Sequence, residues 1–414
     1  MSPAPRVLCV DYSLGFGGAI KSLSLTLGAL RGHDVQVVTS QDAEIVRTWL
    51  AGRRVRSLRR VMNYRSLGRL RAAIEARVGT GALRWVAFKA LAAADLAVTA
   101  KNAARLAWLL RRERIDLLHL NNGFTPPEAL LASRVTGVPC VVHARDFHAD
   151  RSRAMRWAMR PVARVIAVSG AVAEALDGLL ARDRITIVHD PVDAERIEAA
   201  ASRRDAVRAE WGIAPGAVAV GIVGRVIPWK GQMEFARAAL AAMADEPSLH
   251  AVVVGDESDG ARGYLDAIRA LVATSPFAHR FTFAGYRAEV EACYAALDVV
   301  VHASITPEPF GMVVPEAMAA GRAVIAADAG GPREVVADGI DGVLVPPGDV
   351  PVLAAAMLRL ARDADLRARL GDAARAKARE RFRPEASAAA VVAVYASVLA
   401  GRVAAAPVAE VSHA

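Results

Sequence analysis

The sequence predicts an α/β protein made of two doubly wound domains, each a parallel sheet with helices on both faces. Three observations carry this expectation. At 414 residues the chain is longer than one ordinary core serves. Short Val/Ile-rich runs alternate with helical stretches throughout, the mark of parallel strands buried on both faces. The alternation lapses in a polar, helical stretch around residues 194–210 and then restarts, which sets a seam near residues 190–215.

In order along the chain, the first series of strands is read from "RVLCVDY", "DVQVVTS", "DLLHLN", "PCVVHA", "RVIAVS" and "ITIVHD". The second is read from "AVAVGIVG", "HAVVVGD", "FTFAGY", "VVVHAS" and "AVIAAD". Residues 1–192 and 193–383 are thereby expected as N- and C-terminal domains. A helix over 384–402 follows "RFRP", and 403–414 is expected as a disordered tail.

Composition narrows the class. With 54% hydrophobic and 23% charged residues the chain is globular. "MSPAPRVLCVDYS" runs from a short polar lead straight into an apolar strand, so no signal peptide is expected. Cys9, Cys140 and Cys293 lie in apolar contexts without metal spacing, which implies reduced, buried thiols and a cytoplasmic place.

The net charge of +9 is uneven. Residues 47–114 hold 17 Lys plus Arg against Glu75, Asp95 and Glu113, so this region exceeds the whole excess. "RSLGRLRAAIEARV" places Leu67, Leu70, Ile74 and Val78 on one helical face, with arginines on the others. "GALRWVAFKALAAADLAVTA" is apolar over a near-spanning length, but Arg84, Lys89 and Asp95 argue against a transmembrane helix. Two readings stay open. These are ordinary helices of an Arg-rich protein, or a surface that lies on an anionic leaflet, with Arg53, Arg54, Arg59 and Arg60 meeting the lipid. Nucleic acid is not expected, because no zinc finger, helix-turn-helix or base-stacking pattern is present.

Ligands of such sheets bind beyond the carboxyl ends of the strands, so the chemistry is sought there. After the first strand comes "LGFGGAIKSL", a glycine-rich turn opening a helix, with Ile20 where a dinucleotide fingerprint needs its third glycine. Gly17 and Gly18 still let the backbone approach a ligand closely. "RVIPWKGQ" carries Arg225 and Lys230 on a strand-to-helix loop. A lysine there stands out in a chain of five lysines, and a planar fork with a point charge suits a diphosphate. In "TPEPFGMVVPEAMAAG", Pro315 is tolerated only in the first turn of a helix, so a helix must begin near Gly311 or Met312. Glu308 then lies on the loop before it and Glu316 about one turn in, flanking the free N–H groups of Phe310 to Val314. Such a set suits a ligand with hydroxyls at both ends and phosphates between.

These residues resemble the E-x7-E signature of the retaining nucleotide-sugar glycosyltransferases of family 4. "GRVIPWKG" resembles that family's Arg-x4-Lys phosphate loop, and "VVHASITPEPFGMVVPEAMAAGRAVIAADAGGPREVVADGIDGVLVPPGD" its C-terminal core. "GFGGA" and "VVHARDF" are similar to its two N-domain loops. The resemblance implies the GT-B fold, two doubly wound Rossmann-like domains facing each other across a cleft, with the terminal helix crossing back to the N-terminal domain.

It further implies that Glu316 binds the donor ribose, while Glu308 and the N–H groups of Phe310, Gly311, Met312 and Val313 hold the transferred sugar. Arg225 and Lys230 would neutralise the leaving diphosphate in place of a metal ion, so no cofactor is expected. Gly285, Tyr286 and Arg287 would face the base, Gly17 and Gly18 the donor phosphates or the acceptor, and His143 the reacting sugar. A core or capping role for His143 stays open. The activity implied is transfer, with retention, from a nucleotide-diphosphate sugar to a lipid-linked or cell-envelope glycan acceptor, on the inner face of the plasma membrane. A sugar-nucleotide epimerase, a phosphorylase and a non-catalytic sugar-binding descendant share the fold and stay open. The only D-x-D match, Asp363 and Asp365, sits in a polar helix and is read as trivial.

Overall fold

The computed structural model describes residues 4–12, 17–39, 43–50, 54–57, 64–78, 81–124, 127–147, 151–257 and 261–405. The chain divides into two compact units. The first comprises 1–167, 175–187 and 388–414, and the second 168–174 and 188–387.

The first unit holds a seven-stranded parallel sheet. Its strands are β1 (Arg6–Asp11), β2 (Asp34–Thr39), β3 (Arg54–Ser57), β4 (Leu117–Leu120), β5 (Cys140–Ala144), β6 (Val162–Ala167) and β7 (Ile185–Ile187). They lie in the order β3-β2-β1-β4-β5-β6-β7. Central register pairs Val7 with Val35 on one side and with Leu117 on the other. Both β4 and β5 are buried along their whole length, which is why their sequences are apolar without alternation.

The second unit holds a six-stranded parallel sheet of β8 (Val218–Val223), β9 (Leu249–Val254), β10 (Phe281–Gly285), β11 (Val299–His302), β12 (Ala323–Ala327) and β13 (Val343–Val345). Its order is β10-β9-β8-β11-β12-β13. Phe235, Ile268, Val253, Ile325, Met357 and Leu360 are among the residues of its main core.

All eleven strands expected from the sequence are present, and β3 and β13 are additional. Both are edge strands, as are β7 and β10, but β3 carries arginines in place of an apolar run and β13 is only three residues long. Arg54 and Arg56 alternate along β3, and Glu113 pairs with both, at 3.5 and 2.8 Å. Arg54 is exposed and reaches Glu113 only at the longer distance, whereas Arg56 is half-buried against it; Arg53, Arg59 and Arg60 lie outside the described residues. Among the described residues the basic region also forms the helices Tyr64–Arg77 and Ala82–Arg112, the latter 31 residues long. Its second half buries Thr99, Asn102, Leu106 and Leu110, whereas Leu83, Trp85, Val86 and Leu96 in the first half are exposed. Leu70 is exposed as well, so the apolar face expected on the shorter helix is only partly covered.

Two features refine the expected boundaries. The polar stretch near 194–210 is part of the second unit, not a linker. Its Arg208 meets Asp298 at 3.0 Å, Arg204 reaches the other oxygen of that carboxylate, and the N–H of Ala219 donates to it at 2.8 Å. Residues 168–174 also group with the second unit, where the Glu334 carboxylate accepts from the N–H groups of Gly170 and Ala171 at 2.7 and 2.6 Å. The terminal helix runs Pro384–Ala405, and the rest of the expected tail lies outside the described residues. Asp363 accepts from the N–H of Leu366 and caps a helix, so the D-x-D match is structural.

Asp298 supplies a test of this packing. Burial would raise its carboxyl pKa, but the Ala219 N–H, Arg204 and Arg208 outweigh burial and hold it below the ordinary value. Its stabilisation is therefore complete above the unfolded carboxyl pKa of about 3.9 and is lost as pH falls through the lower folded value. Asp298→Ala leaves two guanidinium groups without their shared partner and is expected to destabilise the second unit by about 3 kcal/mol, read by denaturant unfolding at neutral pH.

Candidate active site

In the second sheet the chain moves outward from β8 through β9 to β10, then returns to the other side of β8 with β11. The reversal between β8 and β11 is the point where parallel sheets form ligand sites. The loops after these two strands are joined there. The N–H of Ile305 donates to the Trp229 carbonyl at 2.9 Å. Gly231 has φ +74°, and a Cβ on it would stand 1.9 Å from the Ala303 carbonyl oxygen, so only glycine admits this approach. Gln232 staples the β8 loop from inside, donating to the Arg225 carbonyl at 2.9 Å.

Glu308 lies at the centre. Its side chain is 7% exposed, and a carboxylate so buried must be paired. Lys230 Nζ stands 2.6 Å from Oε1 and 2.7 Å from Oε2. His302 Nε2 is 2.7 Å from Oε1, and the Ser304 hydroxyl donates to the same oxygen. Burial would raise the carboxyl pKa, but His302 and Lys230 more than offset it and hold Glu308 well below the usual carboxylate range. Oε1 thus takes three donors, while Oε2 takes only the lysine and keeps room for a ligand hydroxyl. Lys230 likewise spends two of its three N–H groups on Glu308.

Beyond Glu308 the chain is pinned by Gly331, whose N–H donates to the Glu308 carbonyl at 2.8 Å. A Cβ on Gly331 would lie 2.5 Å from Phe310 Cα. Phe310 is buried and stacks on His189, with ring centroids 5.6 Å apart. The helix that follows is Val313–Ala319. The N–H groups of Phe310, Gly311, Met312 and Val313 donate to no acceptor among the described residues. That of Val314, expected to be free as well, donates to the Gly311 carbonyl at 2.9 Å, because the loop tightens before the first turn. Glu316 is buried on this helix, and Tyr294 donates to its Oε2 at 2.6 Å. Burial first, then the Glu316 charge, pushes the Tyr294 hydroxyl well above its ordinary value, so it stays a donor.

Arg225 borders an open cavity of about 590 Å³, together with Gly255, Asp256, Tyr286 and Arg287. Tyr286 is exposed at its edge. The Arg287 guanidinium is engaged with Glu210 and with the Ala284 carbonyl at 3.0 Å. Gly285, with φ +66°, turns the chain from β10 into this loop.

In the first unit, Gly17 precedes the helix Gly18–Ala29, and a Cβ on Gly17 would meet nothing within 4 Å. The remainder of "GFGGA" before it lies outside the described residues. His143 is the penultimate residue of β5, is 2% exposed, and places Nδ1 3.2 Å from Arg145 Nη2. Tyr294, His302 and Ser304, together with Asn121 and Arg145, were not anticipated as site residues. The available signal was position: each of the last four lies at or just beyond the end of a central apolar strand, where a buried polar side chain has no structural reason to recur.

Comparison with known proteins agrees with this geometry. Residues 217–363 match the family model for glycosyl transferases group 1, and residues 18–196 that for glycosyltransferase family 4. A D-inositol 3-phosphate glycosyltransferase of Streptomyces scabiei is 31% identical over 319 residues, 71% of this chain and 70% of that protein. The same-named protein of Nocardia farcinica is 32% identical over 62% of this chain; the match spans 61% of its own length, somewhat under two thirds. Among solved structures, Anabaena Alr3699/HepE with UDP and glucose superposes with a TM-score of 0.73 and 25% identity, covering 94% of this chain and 99% of the other. With two parallel-sheet Rossmann-like units and this likeness, the chain has the GT-B fold and belongs to the group 1, family 4 glycosyltransferases.

Proposed function

We propose that the protein transfers a sugar, with retention at the anomeric carbon, from a nucleotide-diphosphate donor to an acceptor presented at an anionic membrane. The observation that carries the donor reading is the pair Glu308 and Glu316, each buried and each held by its own donors, on either side of four unpaired N–H groups. Glu316 receives the ribose hydroxyls, and Glu308 Oε2 a hydroxyl of the transferred sugar. Arg225 and the third N–H of Lys230 meet the diphosphate, and the cavity beside Tyr286 takes the base. As the glycosidic bond breaks, negative charge grows on the diphosphate, and stabilisation by Arg225 and Lys230 supplies on the order of 3–5 kcal/mol. Protein cations take the place of a metal ion in this scheme. His143 contributes to the sugar, and Gly17 with Gly18 leaves backbone space for the acceptor or phosphates.

Glu316→Ala is expected to weaken free nucleotide and nucleotide sugar alike, by about 1–3 kcal/mol in calorimetric titration. Glu308→Ala should leave nucleotide affinity in place and reduce turnover. Identical behaviour of the two variants in both assays would refute the division between them. Nucleotide release that needs an added acceptor separates transfer from epimerisation or phosphorolysis.

Transfer is expected to continue at the full rate after exhaustive treatment with EDTA. Strict dependence on Mg²⁺ or Mn²⁺ would contradict the role given to Arg225 and Lys230.

For the acceptor, the supporting feature is the exposed first half of the helix Ala82–Arg112. Leu83, Trp85 and Val86 stand in water there, and Lys89 and Arg84 lie over the rings of Trp85 and Phe88 at 5.4 and 5.6 Å. Apolar side chains flanked by cations suit the boundary of an anionic leaflet, where each engaged Lys or Arg adds about 1 kcal/mol. The protein should sediment with phosphatidylserine vesicles at low salt and leave them at high salt, because exposed charges are screened over about 10 Å at 0.1 M. Replacing Arg71, Arg84 and Lys89 by glutamate should abolish sedimentation while nucleotide binding persists. Indifference of the wild-type protein to such vesicles would favour a soluble acceptor, such as the polyol phosphate for which the Streptomyces and Nocardia relatives are named.

A further inference from the structure

At the sheet reversal of the first unit, between β1 and β4, lies a buried polar chain in which chemistry fixes the direction of each hydrogen bond. Asn121 Nδ2 faces Asp11 Oδ1 at 2.9 Å and the Ala19 carbonyl at 3.3 Å. A carbonyl only accepts, so the amide end turned toward Ala19 is the NH2, and Oδ1 points the other way. Arg145 meets Asn121 there, donating to Oδ1 at 3.2 Å, to the Asn121 carbonyl at 2.9 Å, and to the Ser22 hydroxyl at 3.1 Å. The same Nη2 stands 3.2 Å from His143 Nδ1. A guanidinium never accepts a hydrogen bond, so Nδ1 must. In the neutral imidazole the proton then sits on Nε2.

That Nε2 is buried and has no hydrogen-bond partner among the described residues. The nearest ring, His119, lies 5.6 Å away between centroids and makes no hydrogen bond to it. Among the described residues this N–H donor is thus unpaired, in a position 2% exposed near the carboxyl end of a central strand. We propose that Arg145, oriented by Asn121, is a positioning residue that locks His143 in the Nε2–H tautomer, so that His143 gives a hydrogen bond to a sugar oxygen and cannot serve as a base through that nitrogen. This deepens the function proposed above and rests on His143 contacting the sugar. Burial first, then the neighbouring Arg145 charge and His119, pushes the imidazole well below its ordinary pKa, in keeping with a neutral ring.

The test is the tautomer itself, read from long-range proton–nitrogen correlation spectra of ¹⁵N-histidine protein, with His143 assigned by its loss in His143→Gln. The expected result is an unprotonated Nδ1 and a protonated Nε2 in the wild-type protein. Arg145→Met, which keeps the length but removes the donor, should yield a mixture of tautomers and lower kcat on the order of tenfold to hundredfold with little change in donor KM. Arg145→Lys, which restores a donor, should recover part of both. A proton on Nδ1 in the wild-type protein would overturn the proposal even if no variant folds. So would an unchanged tautomer in folded Arg145→Met. Full transfer by His143→Gln would overturn the assignment of His143 to the sugar, a separate failure that leaves the donor site of the second unit intact.

Discussion

The second unit is organised around one constraint, that a carboxylate buried as deeply as Glu308 cannot be left unpaired. Its three partners come from three places: Lys230 from the loop after β8, His302 from the end of β11, and Ser304 from the loop beyond it. Removing any one leaves a charge short of partners in a medium that solvates it poorly, and such losses reach several kcal/mol. The backbone is shaped to the same end. Gly231 lets the β8 loop touch Ala303, and Gly331 lets the chain after β12 lie on Phe310. Both close approaches bring backbone onto the segment that carries Glu308. The ion pair and the glycines are one device.

Much of this was legible in the sequence because parallel sheets write themselves plainly. Eleven of the thirteen described strands appear as apolar runs, and the residues named from motif lie at the carboxyl ends of such strands or in the segments that follow them. What escaped was of two kinds. Charge hid β3, which carries Arg54 and Arg56, and brevity hid β13, which spans only Val343–Val345. Tyr294, His302 and Ser304 escaped because their role exists only in three dimensions; a tyrosine 22 positions before Glu316 has no local pattern that announces a hydrogen bond to it. The free donors from Phe310 to Val313 followed from Pro315 alone, whereas the loss of Val314 to Gly311 depends on a loop conformation that no propensity encodes.

The basic region shows the complementary case, in which composition was visible and structure was not. Its charge excess is real, but Arg56 is drawn to Glu113 at a sheet edge, and among the described residues the exposed cations with exposed apolar neighbours are on the two long helices. Charge counted along a chain therefore overstates the charge a surface offers. The first unit's interior makes the same point in reverse. Arg145 adds to the positive total but faces inward, where its donors go to Asn121, Ser22 and His143 rather than to a partner.

The pairing of Lys230 with Glu308 also bears on how a transferase of this kind would separate binding from catalysis. In the free protein Lys230 is largely committed, with two N–H groups on Glu308 and one to spare. In the proposed donor complex at rest, the diphosphate would draw only on that spare group, on Arg225 and on the backbone N–H groups, so ground-state attraction for the leaving group would be limited. When the glycosidic bond stretches, the diphosphate gains negative charge while the sugar ring gains positive charge. On the function proposed above, Lys230 would then be drawn toward the phosphate, and Glu308, partly released, would face a ring that attracts a carboxylate. Each half of the broken ion pair finds its better partner only in the transition state. Interactions that strengthen there, and not in the bound substrate, are the ones that raise kcat. On the function proposed above, the salt bridge that stabilises the resting site would also be the store from which the transition state is stabilised.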